Sequence, residues 1–154
     1  MIDTSRLFHL GYVIRNMERA IKIWTQQGAG LVVPPAVDPI QNVTCALLWW
    51  QNAIAIELVA PLPEGPNPVA SRLEKGGGLD HICLFTDDLA AGVKEFVSRS
   101  ALCAVAPVYG AVFDRHLAFL QTRDGLTVEL MEHKPVGRLS TDPLTQYNAL
   151  TRDR

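Results

Sequence analysis

Two histidines and two glutamates recur at matched positions and could together hold a divalent metal. His9 lies in the apolar run 8–11, and His81 lies 72 positions later in the run 79–82. Glu57 and Glu129 each interrupt a later apolar run, and they are also 72 positions apart. The histidine therefore precedes the glutamate by 48 residues in both halves. Since imidazole nitrogens and carboxylate oxygens ligate divalent metals, the doubled spacing predicts one site built from two half-sites.

The elements around these residues repeat in the same order. Residues 7–14 are apolar, aromatic and β-branched, which is typical of a strand. A helix capped by Asn16 follows to about Gln27, and then come strands near 31–37, 43–50 and 53–60. The second half has a strand at 79–86, a helix capped by Asp87 or Asp88 to about residue 99, and strands near 102–108, 115–121 and 126–132. This order predicts an α+β fold in which two βαβββ modules form a cupped, eight-stranded mixed sheet around a central cavity.

The chain length of 154 residues predicts one domain with four parts. Module one covers 7–60, a connector rich in proline and glycine covers 61–78, module two covers 79–133, and a polar tail covers 134–154. Thr141-Asp142-Pro143 could start a short helix in this tail.

Strand alternation predicts which side chains share the site face. His9 shares its face with Gly11 and Val13, and Glu57 shares its face with Ala55 and Val59. On this interpretation Phe8 lies on the opposite face, under the helix. Small side chains beside the candidate ligands predict a cavity on the inner face.

Composition excludes several classes of function. A net charge of −2 and a pI near 6.0 lack the positive charge that is typical of proteins that bind nucleic acid or an anionic membrane. No apolar run approaches the length of a membrane span, and residues 1–6 lack the pattern of a secretory signal. The odd number of cysteines, three, predicts reduced thiols in a cytoplasmic protein.

The chain resembles the vicinal oxygen chelate superfamily, which includes glyoxalases, bleomycin-resistance proteins and extradiol dioxygenases, in the stretches 9–14, 56–62, 78–82, 117–120 and 128–130. The resemblance covers roughly residues 7–133, and within the superfamily the chain is most similar to methylmalonyl-CoA epimerases, above all in the connector that ends in GGGLDHI. It implies the metal ligands His9, Glu57, His81 and Glu129. One departure is Cys45, which stands where some epimerases carry a glutamate proposed to transfer protons.

The resemblance implies an enzyme that uses a divalent ion, namely Co, Mn, Ni, Zn, Fe or Mg. We expect an epimerase or isomerase that removes an α-proton from a small substrate such as an acyl thioester and forms a metal-stabilised enolate. Glu129 or Glu57 is the candidate proton carrier.

Two alternatives remain open at this stage. A glyoxalase I-like lyase acting on a glutathione thiohemiacetal would use the same proton chemistry. A ligand-binding or resistance protein would use the same cup without catalysis.

In each case we expect a homodimer, because paired modules leave sheet edges that need covering. Light scattering that gave a monomer mass would contradict this prediction.

Overall fold

The computed structural model describes residues 6–151 and contains the paired modules that the sequence predicts. Module one comprises β1 (Arg6–Val13), α1 (Met17–Gln26), β2 (Gly30–Asp38), β3 (Val43–Trp50) and β4 (Ile54–Pro61). The short helix α2 (Ala70–Glu74) lies in the connector. Module two comprises β5 (Gly78–Thr86), α3 (Leu89–Ser98), β6 (Leu102–Gly110), β7 (Arg115–Gln121) and β8 (Thr127–Glu132), and α4 (Thr145–Thr151) follows it.

Local signals fix the starts of the two long helices. The side chain of Asn16 accepts a hydrogen bond from the backbone N–H of Arg19, and Asp88 does the same for Ala91. These N-caps satisfy donors that the first helical turn leaves unpaired. The cap predicted at Asn16 is confirmed, and Asp88 is chosen over Asp87.

All eight strands form one mixed sheet in the order β2-β3-β4-β1-β5-β8-β7-β6. The modules join through the antiparallel pair β1–β5, while β1–β4 and β5–β8 are parallel. One apolar cluster lies under α1 and includes Leu48, Ile56 and Leu58, and another lies under α3 and includes Leu120 and Leu130. Helices α1 and α3 thus cover the outer face of the sheet and leave the inner face for the site. The predicted fold class is confirmed.

The expected position of Phe8 under the helix is wrong. The register between β1 and β5 shifts between Leu7 and His9, so the strict alternation of side chains fails at Phe8. Phe8 instead stacks on Phe85 and packs against Phe113 in the inner-face cluster. The inner face is therefore not lined by small residues throughout, because large rings fill the part of it that lies behind His9.

The tail, whose role the sequence leaves open, packs against the inner face. Leu144 is 1% exposed, and the Tyr147 ring contacts the rings of Phe8 and Trp49. Its anchor is Arg115, a buried residue whose guanidinium donates to both carboxylate oxygens of Asp142 at 3.0 and 3.1 Å. This bidentate ion pair ties the segment before α4 to β7.

No helix within residues 6–151 combines the length and apolar character needed to cross a membrane. The predicted absence of a secretory signal falls on residues 1–6, of which 1–5 lie outside the described part of the chain. Both outer strands, β2 and β6, carry exposed apolar side chains such as Val37 and Leu102. The homodimer stays a prediction.

We expect Asp142→Ala to lower the free energy of unfolding by about 2–3 kcal/mol, because the buried Arg115 guanidinium then loses its only charged partner among the described residues. Glu95→Ala is the matched control, since it removes the exposed partner of Arg99 and should cost no more than about 0.5 kcal/mol. Urea denaturation followed by circular dichroism measures both. Equal effects of the two substitutions would contradict this account of the tail.

Candidate metal centre

The four candidate ligands lie on the four central strands of the sheet. Glu57 is on β4, His9 on β1, His81 on β5 and Glu129 on β8, and these strands are neighbours in that order. The register places Glu57 and His81 on either side of Gly11. All four side chains are buried, and their ligand atoms lie within 4.8 Å of one another. The structure therefore brings together the whole predicted set.

The spacing of these atoms suits a shared cation. His9 Nε2 lies 3.1 Å from one carboxylate oxygen of Glu57 and 3.1 Å from one of Glu129, and His81 Nε2 lies 3.3 Å from the same two oxygens. The two Nε2 atoms are 3.3 Å apart. Ligands bonded at about 2.1 Å to one ion stand about 3.0–3.4 Å apart in octahedral or tetrahedral arrangements.

Two buried atoms support the same interpretation. Within the described part of the chain, no group is oriented to donate a hydrogen bond to Glu129 Oε2, although both imidazoles are close to it. His81 Nδ1 lies 3.0 Å from Asp80 Oδ2, so an Nδ1–H that donates to Asp80 leaves the Nε2 lone pair facing the centre. An imidazole oriented in this way by a carboxylate is common at metal sites. The donor set and its orientation fit a divalent metal.

Asp80 reaches His81 because the sheet is irregular there. Gly11 pairs with His81, and the next residue, Tyr12, pairs with Leu79, so the register skips Asp80. This irregularity lets two consecutive side chains approach one side of the strand. Sequence analysis missed this role, since regular alternation places Asp80 and His81 on opposite faces.

Gly11 provides the room that His81 needs. A Cβ atom built on Gly11 would stand 2.0 Å from His81 Cε1 and 2.3 Å from His81 Nε2. The imidazole therefore lies directly over the backbone of β1, and any side chain at this position would displace it. Sequence analysis placed Gly11 on the site face but did not identify this requirement.

Without a metal, the cluster is a set of mutually compensating charges. Burial lowers the pKa of His9, but the nearby charges of Glu57 and Glu129 outweigh burial and raise it. For His81, burial again opposes the shift, while Asp80 and the two glutamates raise the pKa well above its ordinary value. Burial raises the pKa of both glutamates, yet the imidazoles outweigh it, so both values are lowered.

A cavity of about 440 Å³ adjoins this cluster. Three of the four candidate ligands, Glu57, His81 and Glu129, line it, whereas His9 lies behind them and is fully buried. Most of the remaining wall is apolar and comes from both modules. A substrate in this cavity would meet both carboxylates.

Other cysteine, histidine and tryptophan side chains lie in or near the site. Cys45 lines the cavity and Cys83 lies in the inner-face cluster; burial, then the nearby glutamates, raise the pKa of both thiols, which keeps them protonated at neutral pH. His116 is half-exposed beside Glu132 and is not among the residues that line the cavity. Trp49 packs on the inner face under Tyr147, while Trp50 packs against Trp24 on the helix side.

Comparison with known proteins agrees with this architecture. A family model described as the Glyoxalase/Bleomycin resistance protein/Dioxygenase superfamily matches residues 8–119. A mitochondrial methylmalonyl-CoA epimerase of Dictyostelium discoideum is 26% identical over 136 residues, which are 85% of this chain and 80% of that protein.

Solved structures show the same fold. The methylmalonyl-CoA epimerase of Mycobacterium tuberculosis matches with a TM-score of 0.70 and 26% identity over 84% of this chain and 88% of the other. A variant of the Streptomyces coelicolor methylmalonyl-CoA epimerase in complex with 2-nitronate-propionyl-CoA has a TM-score of 0.70 and 20% identity, covering 84% of this chain and 98% of the other. At that identity the second match supports the fold alone.

We expect Gly11→Ala to weaken metal binding about tenfold or more, because the added methyl group displaces the His81 imidazole. Gly30→Ala is the matched control, since no atom lies within 4 Å of a Cβ at that strand position. Titration of Mn²⁺ or Co²⁺ against a fluorescent chelator measures both affinities, and circular dichroism verifies the fold. An unchanged affinity in a folded Gly11→Ala protein would contradict the proposed geometry.

The stability of the metal-free protein should fall as the pH rises above neutrality. Raised histidine pKa values contribute stability that is complete below about pH 6.5, the ordinary value, and is lost as the pH rises through the raised values. The lowered pKa values of the glutamates contribute stability above about pH 4.5 that is lost in acid. Maximal stability of the cluster is therefore expected between about pH 4.5 and 6.5.

Added metal should reverse the alkaline part of this trend, because a divalent ion competes with protons for both imidazoles. Urea midpoints at pH 6 and pH 9, with chelator and with Mn²⁺, measure the difference. His133→Gln, at a half-exposed histidine, is the control that should keep the trend. A metal-free protein that becomes more stable from pH 6 to pH 9 would contradict the charge assignment.

Proposed function

Because this chain belongs to the glyoxalase/bleomycin resistance protein/dioxygenase superfamily, we propose that it is a metal-dependent epimerase or isomerase that moves the α-proton of an acyl thioester. The observation that carries this proposal is the buried group of two imidazoles and two carboxylates beside the cavity. The methylmalonyl-CoA epimerases among its relatives make methylmalonyl-CoA the first substrate to test.

In this proposal His9, Glu57, His81 and Glu129 hold the ion, whose identity among Co, Mn, Ni, Zn, Fe and Mg is open. A bound divalent ion would act as a Lewis acid and stabilise negative charge that develops on a substrate carbonyl oxygen. Asp80 holds His81 in the tautomer that presents Nε2 to the centre. The wall of the cavity beside these residues is mainly apolar.

Glu57 and Glu129 are the groups proposed to carry the proton. Both line the cavity, and the imidazoles keep both pKa values low in the metal-free protein, so each carboxylate is ionised at neutral pH, which is the form that a proton acceptor needs. Epimerisation removes a proton from one face of the α-carbon and returns one to the other. Two carboxylates from two modules suit this task better than a single base would.

A glyoxalase I-like lyase remains the second candidate. Its 1,2-hydrogen shift in a glutathione thiohemiacetal needs the same ion and the same carboxylates. One feature of the cavity favours this candidate. The reacting hydroxyl and carbonyl groups of the thiohemiacetal are uncharged and need no cationic side chain, and the described residues that line the cavity include no lysine or arginine. A purely ligand-binding protein is the weaker alternative, because it has no need of this buried ligand set.

We expect Glu129→Gln to reduce turnover roughly a hundredfold or more while metal affinity changes far less. An amide oxygen can still coordinate an ion, but it cannot accept a proton. His81→Ala should lose both properties, because no other nitrogen replaces Nε2, and Glu57→Gln is the matched variant that reports whether one or both carboxylates are needed.

The measurement is deuterium uptake at the α-carbon in heavy water, with metal-loaded protein and either methylmalonyl-CoA or the methylglyoxal–glutathione adduct. At a saturating concentration of the thioester, deuterium uptake that Glu129→Gln abolishes is the expected result. Conversion of the glutathione adduct alone would move the assignment to a glyoxalase. Inertness toward both compounds in protein that verifiably holds metal would refute both named activities.

A further inference from the structure

We propose that this cavity favours an uncharged, apolar acyl group, so that a thioester with a free carboxylate on its α-carbon binds more weakly than one in which that carboxylate is neutralised. This inference rests on the proposed function, since it concerns the acyl thioester bound beside the same four residues. The side chains that line the cavity are the basis for distinguishing acyl thioesters by the charge of the acyl group.

The apolar part of the wall is extensive. Valine, leucine and phenylalanine side chains from both modules face the cavity, among them Val43, Val59, Val108, Val112, Leu117 and Phe119. Cavities of this size, about 440 Å³, accommodate ligands much larger than a three-carbon acyl group. The space beside the four residues therefore suits a longer or branched hydrocarbon chain.

No lysine or arginine is found among the described residues that line the cavity. Arg115, at the start of β7, lies in sequence between the lining residues Phe113 and Leu117. Its side chain is buried and donates to Asp142 and to the backbone carbonyl of Phe113 rather than to the cavity. Burial of an ionised carboxylate is unfavourable unless a cation or several hydrogen-bond donors compensate it. The side chains of this wall supply no such cation.

A bound divalent ion would not compensate the charge of an additional carboxylate. Its two positive charges are already balanced by the negative charges of Glu57 and Glu129, and an imidazole ligand is neutral. A third carboxylate at the centre would therefore leave an excess negative charge inside an apolar cavity. A carbonyl, ester or hydroxyl oxygen adds no charge and can still approach the ion.

Two further carboxylates, those of Asp38 and Asp80, line the cavity. Asp38 is 1% exposed and accepts hydrogen bonds from the neutral amides of Ile40, Gln41 and Ala111. Asp80 faces the cavity beside His81. Both add negative potential to the wall, which disfavours an anionic head group and leaves a neutral one unaffected.

The test compares methylmalonyl-CoA with its methyl ester, in which the α-carboxylate is neutralised and the rest of the molecule is kept. Calorimetric titration of metal-loaded protein should give a dissociation constant at least about tenfold lower for the ester. Val108→Lys places a cation in the cavity wall and should narrow or reverse this preference. Val108→Met has a side chain of similar length without the charge, and should keep the preference of the wild type.

The outcomes separate this inference from the proposed function. Equal or tighter binding of methylmalonyl-CoA by the wild type would overturn the inference and leave the acyl-thioester function standing. The same shift in preference in Val108→Lys and Val108→Met would also overturn it, because charge would then not be the cause. If neither thioester binds at millimolar concentration, the proposed function itself fails, and the inference falls with it.

Discussion

Two buried glutamates that must be compensated impose the main constraint on this molecule. Glu57 and Glu129 are 5% and 3% exposed in the middle of an eight-stranded sheet. A carboxylate buried there needs a cation or several hydrogen-bond donors to compensate its charge, and the described side chains around the two glutamates supply two imidazoles and no lysine or arginine. Much of the local structure follows from this need, including the bare backbone at Gly11 and the carboxylate of Asp80 that orients His81. A divalent ion would satisfy the same need and leave the imidazoles neutral.

The two modules supply equivalent ligands but different surroundings. The register between β1 and β5 shifts at both Phe8 and Asp80, which are equivalent positions directly before the two histidines. On one side the Phe8 ring packs edge-on against His9 at 4.6 Å, and none of the residues 6–151 hydrogen-bonds to His9 Nδ1. On the other side Asp80 binds His81. On the side of the ring that faces away from the centre, His9 is therefore held by packing and His81 by a hydrogen bond at the cavity wall.

Features set by short stretches of sequence could be predicted, and features set by the register between distant strands could not. The cap at Asn16 depends on neighbouring residues, and the repeat of 72 positions shows which side chains are equivalent. The inward position of Phe8 depends on how β1 pairs with β5, and strict alternation gives the wrong face. The packing of Leu144 and Tyr147 depends on an inner surface that exists only after both modules have folded.

X-ray absorption spectroscopy of the cobalt-loaded protein tests the central claim most directly, because it reports the ligands of the ion without a substrate. The account predicts about one ion per chain, nitrogen and oxygen ligands at about 2.0–2.2 Å, and the outer-shell scattering of two imidazoles. His9→Ala should reduce that scattering to one imidazole. An ion bound without imidazole scattering, or a wild-type spectrum that His9→Ala leaves unchanged, would contradict the assignment of the metal centre.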